Sequence, residues 1–340
     1  MRRALLLSGI CLLAWGAPSL AAPPVCGPSG LGRPPGEVPT ALVFSGGGAK
    51  GAYEAGIAAA FLARGVPIKL VAGTSAGALN ATLIAGGQLD LLEEMWRSIS
   101  REQVYRLRPS VFFAGFLPGW LTLWAVNSAG SLFDPGPLRD LIEARVDLER
   151  VRSSPVRLVI VTADLAARQK RIFDNQSVSV DALMASVAVP GAFPPASVDG
   201  ALLFDGGLTG RAPVLDALES GVDVERAVVV MSYAEAERGE PPTTIRRAVE
   251  AAFEMGMTSQ IRRDVELARL RHPGVEIRLL TPSAPLDLRP LDFDPAELAR
   301  AWEQGKSDGL ACLEELSPHP ASPPHPALSP TGGEGRVRGL

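Results

Sequence analysis

Ser75 stands at the centre of Gly73-Thr74-Ser75-Ala76-Gly77, a G-x-S-x-G run that follows the apolar stretch Ile68-Lys69-Leu70-Val71-Ala72 and precedes a helix-like segment. A serine on a tight strand-to-helix turn has its hydroxyl pushed clear of the sheet, and the flanking glycines tolerate the strained backbone. The helix that follows aims its free N–H groups and the positive end of its dipole at the same point. The pentapeptide alone fits two readings: a nucleophile for acyl transfer, or a serine that caps a helix.

A glycine loop lies upstream. Thr40-Ala41-Leu42-Val43-Phe44 predicts a buried strand, followed by Ser45-Gly46-Gly47-Gly48-Ala49-Lys50-Gly51 and a helix running to Arg64, which Gly65 caps and Pro67 blocks. Bare amides between a strand and a helix bind an anion. One anion is a dinucleotide pyrophosphate, since Gly46, Gly48 and Gly51 satisfy G-x-G-x-x-G. The other is the oxyanion of a tetrahedral intermediate. The next strand ends in Ala72-Gly73-Thr74-Ser75, without the acid that would hold a ribose, and Gly51 is followed by Ala52 rather than by the Lys-Ser or Lys-Thr of a phosphate loop. Acyl transfer fits the pair of turns best. Lys50 reads either as a solvated first-turn residue or as a positive charge supporting the oxyanion loop.

A serine nucleophile needs a base, and the chain holds three histidines, His272, His319 and His325. The last two fall in a proline-rich tail. His272, in Leu270-Arg271-His272-Pro273-Gly274, reads as an exposed turn residue or as the base of a Ser-His-Asp esterase. Without a histidine, a carboxylate takes the proton directly. Asp205 follows the apolar strand Ala201-Leu202-Leu203-Phe204 and precedes Gly206-Gly207. It reads as that base or as an ordinary Asp-Gly turn. An aspartate with an ordinary pKa near 4 is a poor match for an alcohol proton, so the base reading requires burial to raise it.

Taken in order, these pieces resemble the patatin-like phospholipase family. Gly46-Gly47-Gly48-Ala49-Lys50-Gly51 matches its glycine motif, Gly73-Thr74-Ser75-Ala76-Gly77 its nucleophile motif and Asp205-Gly206-Gly207 its D-G-[GA] motif. A fourth block, Ala185-Ser186-Val187-Ala188-Val189-Pro190-Gly191-Ala192-Phe193-Pro194-Pro195, matches A-S-x-A-x-P-x-x-F-P-P. The resemblance covers roughly residues 38 to 215. It implies a Ser75–Asp205 dyad, an oxyanion hole of N–H groups from Gly46, Gly47, Gly48 and Ala76, and hydrolysis of lipid acyl esters such as phospholipids. Lys50, Gly51, Gly73, Gly77, Gly206 and Gly207 support the motifs. A non-catalytic lipid-binding protein on the same fold is the alternative outside enzymology.

The rest of the chain predicts what must position these residues. With 340 residues and 46% hydrophobic content, it can bury a large core. Strands at 155–163, 201–204, 225–231 and 275–280 alternate with helices at 137–145, 180–187 and 243–271. This predicts a three-layer α/β/α fold with a mostly parallel sheet and a site at the carboxyl ends of its strands. A net charge of −4 gives no footprint for nucleic acid, and no H-E-x-x-H or C-x-x-C grouping asks for a metal, so neither metal nor cofactor is expected.

Residues 1–21, with Arg2 and Arg3 before an apolar run and Ser19-Leu20-Ala21 at its end, read as a signal peptide. That reading predicts an exported bacterial member of the family it resembles, periplasmic or secreted, the alternative being an uncleaved N-terminal anchor. Residues 22–38 read as a flexible lead-in, 39–316 as the catalytic domain and 317–340 as a disordered tail. Cys26 and Cys312 read either as a disulfide tying the ends together or as two thiols. The aromatic stretch from Val111 to Val126, within a cap at 104–130, reads as a peripheral membrane contact or as core packing. The sequence names no activating protein.

Overall fold

The computed structural model describes Cys26, residues 35–234 and residues 241–316. The signal peptide expected at 1–21 and the tail at 317–340 lie outside the described residues. In chain order, β1 (Thr40–Phe44) leads through the glycine loop to α1 (Gly51–Ala63), and β2 (Ile68–Gly73) leads through Ser75 to α2 (Ala76–Ala85). Next come α3 (Leu89–Ser98), α4 (Arg101–Val104), β3 (Arg106–Leu107), α5 (Pro109–Ala114), α6 (Gly119–Ser128), β4 (Phe133–Asp134), α7 (Gly136–Arg145) and α8 (Leu148–Arg152). Then follow β5 (Arg157–Asp164), β6 (Gln169–Phe173), α9 (Val180–Ser186), β7 (Ala196–Val198), β8 (Ala201–Asp205) and α10 (Val214–Leu218). The chain closes with β9 (Arg226–Val230), α11 (Ile245–Arg271), β10 (Glu276–Leu280) and α12 (Pro295–Leu316).

The main sheet pairs in the order β10-β9-β1-β2-β5-β8-β7, with β6 also on β5. The five strands β10, β9, β1, β2 and β5 are parallel, whereas β6, β7 and β8 join antiparallel. Alternation along β1 divides the core. Leu42 and Phe44 join a cluster with Phe61 of α1, Leu83 of α2 and Trp302 of α12. Ala41 and Val43 join a second cluster with Val214 of α10 and Ile261 and Val265 of α11. A sheet buried on both faces between two helical layers is the three-layer architecture expected.

The antiparallel strands bring distant motifs together. Ile160 of β5 pairs with Gly73 and with Phe173, so β2 and β6 take opposite edges of β5. Thr162 pairs with Arg171 of β6 and with Asp205, so β8 shares the edge that β2 uses. β2 therefore runs up that edge and stops opposite Ile160, while β8 runs down it and stops opposite Thr162. The two strands meet nearly end to end, which carries Asp205 to the nucleophile turn.

Two terminal expectations resolve differently. Cys26 and Cys312 form a disulfide with Cα atoms 5.1 Å apart. The lead-in expected to be flexible is therefore fastened at Cys26, and both Cys26 and Val38 are buried. Among the described residues, no helix is long and apolar enough to cross a membrane.

Candidate active site

Ser75 adopts φ 58°, ψ −132° at the N-cap of α2, a conformation a non-glycine residue holds only when its surroundings enforce it. Three contacts do so. Ser75 N–H donates to Ser186 Oγ at 2.9 Å, Thr74 Oγ1 donates to the Gly210 carbonyl at 2.9 Å, and Gly77 N–H donates to the Thr74 carbonyl at 3.0 Å. The neighbouring glycines are required by crowding. A Cβ on Gly73 would stand 2.2 Å from the Gly77 carbonyl oxygen, and one on Gly77 would stand 2.8 Å from Phe44 Cβ. Ser186 explains the A-S-x-A block: its hydroxyl holds the elbow from behind.

The glycine loop turns three successive residues to positive φ, 68° at Gly46, 131° at Gly47 and 60° at Gly48, which only glycine does readily. Packing closes the loop as well, since a Cβ on Gly48 would fall 1.9 Å from the Pro290 carbonyl oxygen. Among the described residues, the N–H groups of Gly47, Gly48 and Ala76 have no hydrogen-bond acceptor. They can donate to an incoming oxyanion. Gly46 differs from expectation, because its N–H is committed to Glu54 Oε1 at 2.8 Å. It anchors the loop, with its donor already engaged.

Glu54, on α1, was not singled out from the sequence. It lies wholly buried beneath the loop, where Oε1 accepts from Ser45 Oγ at 2.9 Å as well as from Gly46 N–H, while Oε2 is buried without a partner. Burial pushes its carboxyl up to about 7, against the pull of Ser45, Arg211 and Gly46. Ser232, just past β9, donates to the Gly46 carbonyl at 2.6 Å and completes the clamp. Lys50 is not a solvated first-turn residue. It is 4% exposed and its ammonium lies 3.9 Å over the Tyr233 ring, a cation–π contact. Gly51 lets that helix approach Trp96, whose ring would meet a Cβ at 2.7 Å.

Asp205 is buried at the end of β8. Its Oδ1 accepts from Gly207 N–H at 2.7 Å, and Gly206 sits so close to β5 that a Cβ would lie 2.1 Å from the Val161 carbonyl oxygen. Desolvation raises its pKa above the usual carboxylate value, opposed in turn by Arg211, the Gly207 N–H and the Ser75 hydroxyl. Asp205 Oδ2 is buried without a hydrogen-bond partner. Nucleophile–base pairs tighten when substrate arrives. His272 lies elsewhere. It caps α11 and precedes β10, so it belongs to the amino edge of the parallel strands, whereas Ser75 follows the carboxyl edge.

A cavity of about 820 Å³ opens over Ser75, Gly47, Gly48, Lys50 and Arg211. Its walls are mostly apolar, from Leu79, Leu83, Met95, Trp96, Leu138 and Phe193 among others. The volume falls in the range of small-molecule clefts. Trp96 is fixed by donating to Asn80 Oδ1 at 2.6 Å, and Asn80 in turn donates to the Gly51 carbonyl at 2.9 Å. Among the described residues, no cluster of His, Cys, Asp and Glu could hold a metal ion.

Known proteins match part of this chain. Over 191 residues it is 32% identical to a protein of Mycobacterium tuberculosis described as an uncharacterized NTE family protein, covering 56% of this chain and 48% of that one. Over 200 residues it is 29% identical to the mouse patatin-like phospholipase domain-containing protein 7, covering 58% of this chain and 14% of that one. The chain thus spans about half the length, or less, of these relatives. Among solved structures, VipD from Legionella pneumophila matches at TM-score 0.43 and 17% identity, over 82% of this chain and 67% of that one. The type III effector ExoU matches at 0.39 and 18%, over 84% and 54%. The sequence model of the patatin-like phospholipase family matches residues 42–218, just over half of the chain and the span that holds both Ser75 and Asp205. The chain belongs to the patatin-like phospholipase family.

Proposed function

We propose that this protein is a serine lipid acyl hydrolase working through a Ser75–Asp205 dyad. The observation that carries the reading is the left-handed Ser75 beside a buried carboxyl of raised pKa, facing N–H donors with no partner of their own. Ser75 Oγ attacks the ester carbonyl carbon as its proton passes to Asp205. The carbonyl oxygen becomes an oxyanion held by the N–H groups of Gly47, Gly48 and Ala76. Collapse breaks the bond to the leaving alkoxide, which takes the proton from Asp205 and departs as an alcohol, leaving an acyl-serine. Water then gives its proton to Asp205 and adds to the acyl carbon. Expulsion of Ser75, which recovers that proton, releases the fatty acid.

The apolar cavity supports a lipid acyl chain as substrate, and the family supports phospholipid. A bilayer surface is the proposed setting, supported by the exposed apolar residues Phe113, Phe116 and Trp124 of the α5–α6 hairpin, whose return at Leu132 lines the cavity. Export is likewise part of the proposal. The Cys26–Cys312 disulfide is its support, since such bonds persist chiefly in oxidising compartments.

A fluorophosphonate probe tests the enzyme against a non-catalytic lipid binder. Only an activated serine reacts quickly, so rapid labelling of the wild type and none of Ser75→Ala is expected. A wild type that stays unlabelled sinks the proposal.

A further inference from the structure

One charge on the cavity wall has no part in the acyl-transfer steps. Arg211 is 4% exposed and lines the cavity. Its guanidinium spans the gap between the glycine loop and the D-G-G turn. Nη2 lies 3.4 Å from where a Cβ on Gly47 would stand, and Nη1 lies 3.0 Å from the matching point on Gly207. Among the described residues it makes no hydrogen bond and no ion pair, and Nε is sealed from solvent without an acceptor. Its two acidic neighbours feel its field without bonding to it: Asp205 Oδ1 accepts from Gly207 N–H and Glu54 Oε1 from Gly46 N–H, while Asp205 Oδ2 and Glu54 Oε2 are buried without a partner.

A guanidinium stays charged at any physiological pH, and burying it without a partner is unfavourable. An anion arriving through the cavity would supply the hydrogen-bond acceptors that neither neighbouring carboxyl gives it. The planar fork of N–H groups suits an oxyacid such as a phosphate, which it can grip through two oxygens. The transient oxyanion already has donors in Gly47, Gly48 and Ala76. A standing charge a short distance away complements a group present in the ground state. That group must travel on the same molecule as the ester and its apolar chain, which describes a glycerophospholipid.

We propose that Arg211 is a phosphate subsite that makes glycerophospholipids and lysophospholipids preferred over neutral glycerides. This rests on the lipid acyl hydrolase reading. Lys50, also on the cavity wall, adds positive potential to the same region.

The test uses two substrates with the same acyl chain and ester position, a lysophosphatidylglycerol and the corresponding monoacylglycerol, below their critical micelle concentrations. Wild-type kcat/KM is expected to favour the phosphate-bearing lipid by about tenfold or more, chiefly through KM. Arg211→Gln should bring that ratio toward one, and Arg211→Lys should keep part of it. A wild-type ratio of one or less, a ratio unchanged in Arg211→Gln, or equal losses on both substrates overturns the subsite. The wild-type ratio and the Lys variant decide the matter if the Gln variant does not fold. Calorimetric binding of the same two lipids to Ser75→Ala, with and without Arg211→Gln, separates the subsite from the chemistry. An Arg211-dependent preference in binding, found with a wild type that hydrolyses neither lipid, upholds the subsite and removes the hydrolase reading.

Discussion

Two regions of this molecule reverse the ordinary distribution of side chains, and they do so in opposite senses. At the carboxyl edge of the sheet, Ser45, Glu54, Ser75, Asp205, Arg211 and Ser232 are all buried. On the flank, the α5–α6 hairpin and the start of α11 hold large apolar residues in solvent, with Phe116 76% and Ile245 87% exposed. Buried polar groups persist where hydrogen bonds fix them or chemistry needs them. Exposed apolar groups in contiguous patches mark a surface that meets something apolar. The first region has a dense network of hydrogen bonds, whereas the α5–α6 hairpin joins the body through the two-stranded β3–β4 ribbon and the backbone bonds of Leu132 and Phe133 to Gly191 and Ala192. Precision belongs to the first and contact to the second.

The largest effect that could break this contrast lies at Asp205. Asp205→Asn keeps the Oδ1 acceptor for Gly207 N–H, so the turn should survive while the base is lost. Hydrolysis of a soluble short-chain ester should fall by about a thousandfold or more, and Ser75→Ala combined with it should cost little beyond either change alone. A fall of less than tenfold would show that the buried carboxyl serves the fold and not the reaction.

Much of the precise region was legible in the sequence, because it is local. The strand at Thr40–Phe44, the elbow at Ser75 and the strand ending at Asp205 each announce themselves through a few adjacent residues, and each is found where expected. What joins them was not legible. β6 and β7 are short and carry little pattern, and the shared edge of β5 depends on antiparallel pairing that no single segment encodes. Glu54 and Arg211 were missed for a related reason. Each is one charged residue in a segment otherwise read as a helix or a loop, and its meaning comes from burial, which tertiary contact decides. Lys50 shows the same: its position was noted, but its burial against Tyr233 was not foreseeable.

Glu54 tests the network next. Glu54→Ala removes the acceptor for Gly46 N–H and should lower kcat by about a hundredfold, the scale for losing ordered oxyanion donors. Glu54→Gln, which keeps an acceptor oxygen, should restore most of that loss. Stability should follow pH with a definite sign. The folded-state carboxyl titrates at about 7 against an ordinary 4.5. The native state thus holds the proton more tightly than the unfolded chain. This contribution is complete below the ordinary value and is lost as pH rises through about 7, amounting to about 3 kcal/mol by linkage. Denaturation at pH 5 and pH 8 should show the wild type losing about that much more than Glu54→Gln. Asp205, raised in the same direction, contributes alike in both proteins. Equal pH dependence in the two would mean that Glu54 is ionised in the fold.

The smallest effect concerns the flank, and it is selective. From Pro109 to Phe133 the chain has no charged residue, while Arg106 and Arg108 stand at the root of the hairpin. Leu132, at the return of the hairpin, and Val249 and Phe253 of α11 line the cavity, so the exposed apolar surface continues into the path a lipid would follow. Phe113→Ser, Phe116→Ser and Trp124→Ser together remove exposed side chains that support no core cluster. The melting temperature should therefore hold, and turnover of a soluble short-chain ester should change by less than about twofold, since the reacting groups are untouched. On phospholipid vesicles the same variant should lose about tenfold, through weaker partition of aromatic side chains into the interface. Matched losses on vesicle and soluble ester, accompanied by a lower melting temperature, would place the hairpin in the fold's own packing and leave the molecule with one inverted region instead of two.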